Sequence, residues 1–427
     1  MYNQSRAFQN YCRDSVGESF RHMDYSWDSR DLARSQKATA LRVRLEKAGY
    51  RKRPNAEPTD RMEEPKKKMA KHTGATAKPA QTTPGRCQPT STNKSESGQI
   101  TKSRLSVKIH VGSDCSGLGS EILALKLLGL EDRIVHAFAS ESDPRTRSVF
   151  EANHPSCKKF YESCRVKDRP LNTTPKVDHY VTGPPCQPYT LAGKRGGLED
   201  LGTTENGYKN RGTVLFDVVG YIVAKRPATS IIEEVAGLNS GETKPVFETV
   251  VKTLKDIVCR AKAHYFVEWK IVTTAEIGGI PQNRPRIYIA GVQRTLVGMS
   301  DFKFDWPGNV NAPKLSVFLK PNTAPACNPT SEFAVANLLH LWTSIKEKEK
   351  KDPAKEMYCL DIGSSEDRAT YMKEQSPTLT RTRCGAGGFF LSAWKRMMTT
   401  ADIQKLQGFP TSLRRGSAGR GSGSASL

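Results

Sequence analysis

A cysteine set directly behind two prolines is the residue best placed to do chemistry in this 427-residue chain. In Gly183-Pro184-Pro185-Cys186-Gln187-Pro188-Tyr189-Thr190 the prolines stop strand or helix and fix the direction of the backbone. Tyr180-Val181-Thr182 before them reads as the end of a short apolar strand. Such a corner can present Cys186 as a nucleophile, although a plain loop cysteine has the same local sequence. Ile231-Ile232-Glu233-Glu234-Val235 ends another apolar strand on carboxylates. An acid there either holds and protonates a ring nitrogen or simply faces solvent. Gln282-Asn283-Arg284-Pro285-Arg286 spaces two arginines by two positions at the start of a strand, so both share one face and suit a phosphate or a base carbonyl.

A second chemistry is indicated further upstream. Asp114-Cys115-Ser116-Gly117-Leu118-Gly119-Ser120-Glu121 is a turn of small residues between a strand-like and a helix-like run. Glycines there let a ligand approach a helix N-terminus. Glu141 follows the next strand, 22 residues past Gly119, a spacing that suits ribose hydroxyls. With no Gly-Lys-Ser/Thr phosphate loop, an adenosine-type ligand without a triphosphate fits better than ATP.

The elements that must carry these residues alternate. Strands are expected over residues 107–111, 134–139, 178–182, 230–233, 265–272 and 286–292. Helices are expected over residues 121–128, 144–153, 213–224 and 245–263. This alternation implies an α/β fold with a mostly parallel sheet covered on both faces, whose ligands bind at the carboxyl ends of the strands. After Gln293 the rhythm is lost, apart from a helix expected over residues 331–350, so residues 293–375 read as a smaller inserted domain. Residues 396–410 read as a capped helix stopped by Gly408 and Pro410.

Residues 1–104 differ from the rest. They are basic, poor in large apolar residues beyond position 51 and unable to bury a core there, with a short helix possible over residues 31–48. Arg51-Lys52-Arg53 and Pro65-Lys66-Lys67-Lys68 are spaced like a bipartite nuclear localisation signal, or form a solvated basic tail. The net charge of +22 favours a polyanionic partner. The ten cysteines form no Cys-x-x-Cys pair and no Cys/His cluster, which argues against zinc or a disulfide framework. No apolar run has the length of a membrane span or a secretory core, so no membrane partner is expected.

Taken in order, Ser116-Gly117-Leu118-Gly119, Glu141, Pro184-Pro185-Cys186-Gln187-Pro188, Arg211-Gly212, Glu233-Glu234-Val235, Gln282-x-Arg284-x-Arg286 and Leu406-Gln407-Gly408-Phe409-Pro410 resemble the cytosine-C5 DNA methyltransferase family over about residues 105–410. The resemblance implies the Rossmann-like sheet of S-adenosylmethionine-dependent methyltransferases over residues 105–292. A target-recognition segment over 293–375 would follow, then a return to the catalytic domain over 376–412 and a flexible tail over 413–427. It implies that Cys186 attacks C6 of a flipped cytosine in double-stranded DNA. Glu233 would protonate N3, and Arg284 and Arg286 would hold the base carbonyl and backbone. Gly117, Leu118, Gly119, Glu141, Ser142, Glu162 and Pro185 would line the S-adenosylmethionine site. The loop at residues 191–210 would close over the base, with Lys194, Arg195 and Lys209 near phosphates.

Four departures qualify the resemblance. Cys115 stands where the family usually has an aromatic residue, and Glu234 where it usually has Asn. The stretch from Gly197 to Arg211 is longer than usual, and the sequence ends 17 residues after Pro410 without the family's last motif. Two alternatives follow: an impaired DNA-binding or chromatin protein on the same fold, and a tRNA cytosine methyltransferase. The tRNA branch's usual Cys-Phe-Thr tripeptide is absent here.

Overall fold

The computed structural model describes residues 107–165, 168–189, 211–259, 262–297, 302–321, 329–380, 388–410 and 412–414. The two basic clusters, the helix expected over 31–48 and the loop carrying Lys194, Arg195 and Lys209 lie outside the described residues.

Seven strands form the main sheet. They are β1 (Ile109–Asp114), β2 (Ile134–Ser140), β3 (Phe160–Tyr161), β4 (His179–Thr182), β5 (Thr229–Val235), β6 (Tyr265–Thr273) and β7 (Pro285–Gln293), in the order β3-β2-β1-β4-β5-β7-β6. Pairings from β3 to β5 are parallel, whereas β7 runs antiparallel to both β5 and β6. The helices are α1 (Ser120–Leu127), α2 (Pro144–Asn153), α3 (Val214–Lys225) and α4 (Lys244–Lys255). Strand order reverses direction at β1. Right-handed crossovers therefore place α1 and α2 on one face and α3 and α4 on the other, where α3 and α4 meet. This is the mixed α/β architecture expected from the alternation.

Local chemistry accounts for the helix starts. Pro144 occupies the first turn of α2, and the Asp143 side chain accepts from the Thr146 amide, a standard N-cap. The core beneath the sheet is built from Phe138, Tyr180, Leu215, Tyr221, Ile222, Ile232, Phe247 and Ile287, all buried. The helix expected over 245–263 is corrected. It stops at Lys255, and Val258–Cys259 pairs with Lys262–Ala263 as a two-stranded hairpin. Ile257 is drawn into the core at this break, and its carbonyl accepts from the His264 amide.

Helix α5 (Glu332–Ser344) is capped by Ser331, whose hydroxyl accepts from the Ala334 amide. A single π-turn, Ile345–Glu349, follows. A second, antiparallel sheet has the order β9-β8-β10-β11, where β8 is Tyr358–Asp361, β9 Thr370–Lys373, β10 Phe389–Leu391 and β11 Arg396–Met397. The boundary expected at residue 375 thus falls inside this sheet, between β9 and β10. Helix α6 (Thr400–Leu406) begins with a reciprocal capping box between Thr399 and Asp402. Beyond it, the Arg414 backbone is held on both sides by the Asn153 side chain at the end of α2.

Candidate active site

Parallel pairing of β4 with β5 sets Thr182 beside Ile232, so Gly183 comes level with Glu233. A methyl group at Gly183 would stand 3.4 Å from Glu233 Oε2, which measures how close the Pro-Pro corner comes to the carboxylate. Antiparallel pairing of β5 with β7 sets Val235 beside Arg286. Three chain segments therefore converge on one edge of the sheet. Arg286 Nε is ion-paired with Glu233 Oε1 at 2.9 Å, and Arg284 Nη2 lies 3.6 Å from the same oxygen. Cys186 is half-buried and packs against the main core. Its corner is pinned by the Tyr189 hydroxyl, which donates to the Gly212 carbonyl at 2.7 Å.

The electrostatics keep this cysteine in its thiol form. Burial, reinforced by the neighbouring Glu234 carboxyl, pushes the Cys186 thiol up, while Arg286 and Arg284 pull against it. Burial also lowers the Arg284 guanidinium, with Arg286 adding repulsion. Glu234 is fully buried. Its Oε2 accepts from the Val235 amide, whereas Oε1 has no partner. Burial therefore holds the Glu234 carboxyl well above the usual range, although the Val235 amide opposes this.

Across the strand-order switch between β1 and β4, a second constellation sits at the ends of β1 and β2. Gly117 and Gly119 adopt left-handed backbone, with φ of 55° and 75°. A Cβ at Gly119 would come within 2.4 Å of the His154 ring, so glycine is required there. At Gly117 a Cβ would meet nothing within 4 Å, so this stretch of backbone borders open space. Beside it, Glu141 is 8% exposed. Its Oε2 accepts from the Gly117 amide at 3.1 Å and its Oε1 from the Asp143 amide at 2.9 Å. A nucleoside ligand fits these residues: open space over a glycine backbone, with a fixed carboxylate at its side.

Residues 110–418 match the family described as C-5 cytosine-specific DNA methylase. The chain belongs to that family. Among its curated relatives, Type II methyltransferase M.NgoBV of Neisseria gonorrhoeae is 31% identical over 222 residues, 52% of this chain and 45% of that protein. Type II methyltransferase M.HpaII of Haemophilus parainfluenzae is 30% identical over 192 residues, 45% of this chain and 48% of that protein. Type II methyltransferase M.NgoBI of Neisseria gonorrhoeae is 27% identical over 300 residues, 69% of this chain and 80% of that protein. The chain spans about half the length of the first two of these relatives.

In this family member the expected site residues divide into two groups along one sheet edge. Cys186, Glu233, Arg284 and Arg286 form the first, and Pro185 belongs to the same corner. Gly117, Leu118, Gly119, Glu141 and Ser142 form the second. Leu118 offers its carbonyl to His154 Nε2 at 2.9 Å. Glu162 follows β3 with an exposed side chain and pairs with Arg147 at 2.9 Å.

Two supports were missed by the sequence reading. Asp114, at the end of β1, is fully buried against Arg169, with both terminal guanidinium nitrogens at 2.7 Å. The partners are 55 residues apart and no local motif announces them. Gln282 is also fully buried, with neither amide atom partnered. Its backbone bridges to Ser376, so the segment bearing Arg284 is clamped to the C-terminal part of the chain. A polar residue within the Gln-x-Arg-x-Arg string was the available signal.

Proposed function

We propose that this chain methylates C5 of cytosine in double-stranded DNA, with S-adenosylmethionine as methyl donor. The observation that carries the reading is the pairing of the two groups at one sheet edge: Cys186 with Glu233 and the two arginines, beside the Gly117–Glu141 cradle. Ligands of open α/β sheets lie at such strand ends, next to the switch in strand order.

The residues divide the work by their chemistry. C5 of cytosine is a weak nucleophile, so the Cys186 sulfur first adds to C6 and raises the electron density at C5. Only the thiolate attacks, and Arg284 and Arg286 are the groups beside Cys186 that favour it. Glu233 faces the ring and delivers a proton to N3, which neutralises charge created by the addition. Arg286, ion-paired with Glu233 Oε1, fixes the orientation of that carboxyl. Gly117 and Gly119 would let the cofactor approach the backbone closely, and Glu141 would hold its ribose hydroxyls. S-adenosylmethionine, when bound, supplies the methyl group. A base then removes the C5 proton and Cys186 departs. Flipping the base from a duplex costs roughly a few kcal/mol. The net charge of +22 supports binding to the phosphate backbone.

A second reading, DNA binding with impaired chemistry, is favoured by one observation: the Glu234 carboxyl beside Cys186 opposes thiolate formation. Transfer of labelled methyl from S-adenosylmethionine separates the two, with duplex DNA and tRNA as parallel substrates and Cys186→Ser as control. Label in DNA that depends on Cys186 supports methylation. Label confined to tRNA moves the chemistry to RNA, and no label from folded protein favours the impaired reading. Nuclear delivery through residues 51–53 and 65–68 is part of the same proposal. A fluorescent fusion with Lys66, Lys67 and Lys68 replaced by alanine tests it by its distribution between nucleus and cytoplasm.

A further inference from the structure

Two cysteines that the methylation chemistry does not use face each other at the mouth of the cradle. Cys115 follows β1, Cys164 follows β3, and their sulfurs are 3.7 Å apart. Both residues are half-buried, so neither is sealed in the core. Cys115 holds left-handed backbone, φ 52°, which a residue with a Cβ adopts at a cost. The two segments flank the expected cofactor residues: Cys115 lies two positions before Gly117, and Cys164 two positions after Glu162.

We propose that Cys115 and Cys164 are a dithiol that a hydroperoxide converts reversibly into a disulfide across the cofactor cradle, closing it to the nucleoside cofactor. The second half of the inference rests on the cofactor reading above; the first half does not. The sulfurs need to approach by less than about 2 Å to reach the bond length of about 2.05 Å. Arg165 interacts electrostatically with both sulfurs, so a cation stands beside the pair. The Cys164 sulfur and burial push the Cys115 thiol well up, and Asp114 and Glu141 act in the same direction. Burial and its acidic neighbours thus make Cys115 a slow nucleophile.

The chemistry balances in two steps. Cys164, having lost its proton, attacks the peroxide; an S–O bond forms, the O–O bond breaks, and the hydroxide released takes up that proton as water. Cys115 then loses its proton and attacks the Cys164 sulfur; the S–S bond forms, the S–O bond breaks, and a second water leaves. Two thiols are oxidised by two electrons and one hydrogen peroxide is reduced to two waters. A dithiol reductant reverses the change by exchange. The bond ties the β1–α1 turn to the segment after β3. Drawing the sulfurs together pulls that turn toward the segment after β3 and narrows the open space bordering Gly117.

The test uses the full reduced chain and hydrogen peroxide. Peptide mapping after alkylation is expected to show a Cys115–Cys164 crosslink, lost in Cys115→Ser and in Cys164→Ser and reversed by dithiothreitol. By calorimetry, the crosslinked protein is expected to bind S-adenosylhomocysteine about tenfold or more weakly than the reduced protein, within the usual range for coupled sites. Peroxide-treated Cys164→Ser is expected to keep the affinity it had before treatment. Sulfinic acid on separate cysteines with no crosslink overturns the pairing. A crosslink with unchanged affinity overturns the closure. A crosslink in a protein that binds no cofactor even when reduced supports the pairing and overturns the cofactor reading instead.

Discussion

Replacing Asp114 by Asn tests how the turn over residues 115–119 is held in place. Asp114 is fully buried and accepts four hydrogen bonds: Arg169 Nη1 and Nη2 at 2.7 Å each, and the Ser140 and Tyr180 hydroxyls at 2.6 Å each. Arg169 is also enclosed, its guanidinium over the rings of Phe138 and Tyr161 at 5.2 and 5.1 Å. Asn keeps one acceptor, turns an amide NH2 toward a donor and leaves the guanidinium without a counter-charge. Breaking a buried pair from one side costs about 3–5 kcal/mol, a large part of a native stability of about 5–15 kcal/mol. Arg169→Met strands the carboxylate instead and loses a similar amount. The double variant buries no charge, so its loss falls short of the summed single losses by about 1–3 kcal/mol. In urea, at about 3 kcal/mol per M, Asp114→Asn lowers the unfolding midpoint by about 1–2 M, read by circular dichroism and tryptophan fluorescence together. Because Ser116, Gly117 and Gly119 follow directly on Asp114, affinity for S-adenosylhomocysteine falls as well. A loss below about 1 kcal/mol, or strictly additive single variants, would refute the claim that this pair anchors the turn.

Three other substitutions probe the site from different sides. Glu233→Ala is expected to reduce turnover far more than DNA affinity, with the fold retained by circular dichroism; equal loss of both would make Glu233 a docking residue. Glu234→Gln removes a carboxyl that opposes thiolate formation, so the pH midpoint for alkylation of Cys186 by iodoacetamide is expected to fall. A midpoint unchanged or raised contradicts the assigned influence. Glu121 is pushed up to about 6 from an ordinary 4.5 by burial, although the Ser113 hydroxyl, donating at 2.6 Å, opposes the rise. A carboxyl raised on folding favours the native state fully below pH 4.5, and that contribution is lost as pH rises through about 6. At about 1.4 kcal/mol per tenfold change in proton affinity, this amounts to roughly 2 kcal/mol. Glu121→Gln keeps an acceptor for Ser113 and is expected to be more stable than the parent at pH 7 by about 1–2 kcal/mol, with the advantage absent at pH 4. Equal stability at both pH values would show that Glu121 titrates normally.

How far the sequence could be read depends on the range of the interaction that decides each feature. The Pro-Pro corner and the Asp143-Pro144 cap act within a few residues, and β4 and α2 are where those signals put them. The hairpin after Lys255 was missed for the opposite reason. Residues 256–263 contain neither Gly nor Pro to stop a helical reading. What ends the helix is the burial of Ile257 in a core assembled from distant strands. The reversal of β7 was legible in principle, since only 11 residues separate Thr273 from Pro285. A parallel crossover needs a dozen or more, usually with a helix, and the single turn Thr274–Ile277 cannot span it.

That reversal matters for the chemistry. In an all-parallel sheet, the start of the strand beside β5 would lie at the edge opposite Glu233. Because β7 runs backwards, its first residues arrive at the carboxyl end of β5. Arg284 and Arg286 thereby meet a carboxylate that ends its own strand. The two-position spacing of the arginines is a local property of a strand, but their use on Glu233 is a property of topology. The same holds for Glu234. As a sequence feature it is one more acid at a strand end, where solvent would leave it charged. Alternation along β5 instead turns it into the core one residue after Glu233, so a carboxyl without a partner for Oε1 sits beside Cys186. The identity of the residue at 234 therefore bears on the reactivity of Cys186 through the sheet rather than by contact with a substrate. Replacing it with an amide is the most direct way to learn how much thiolate this site holds in reserve.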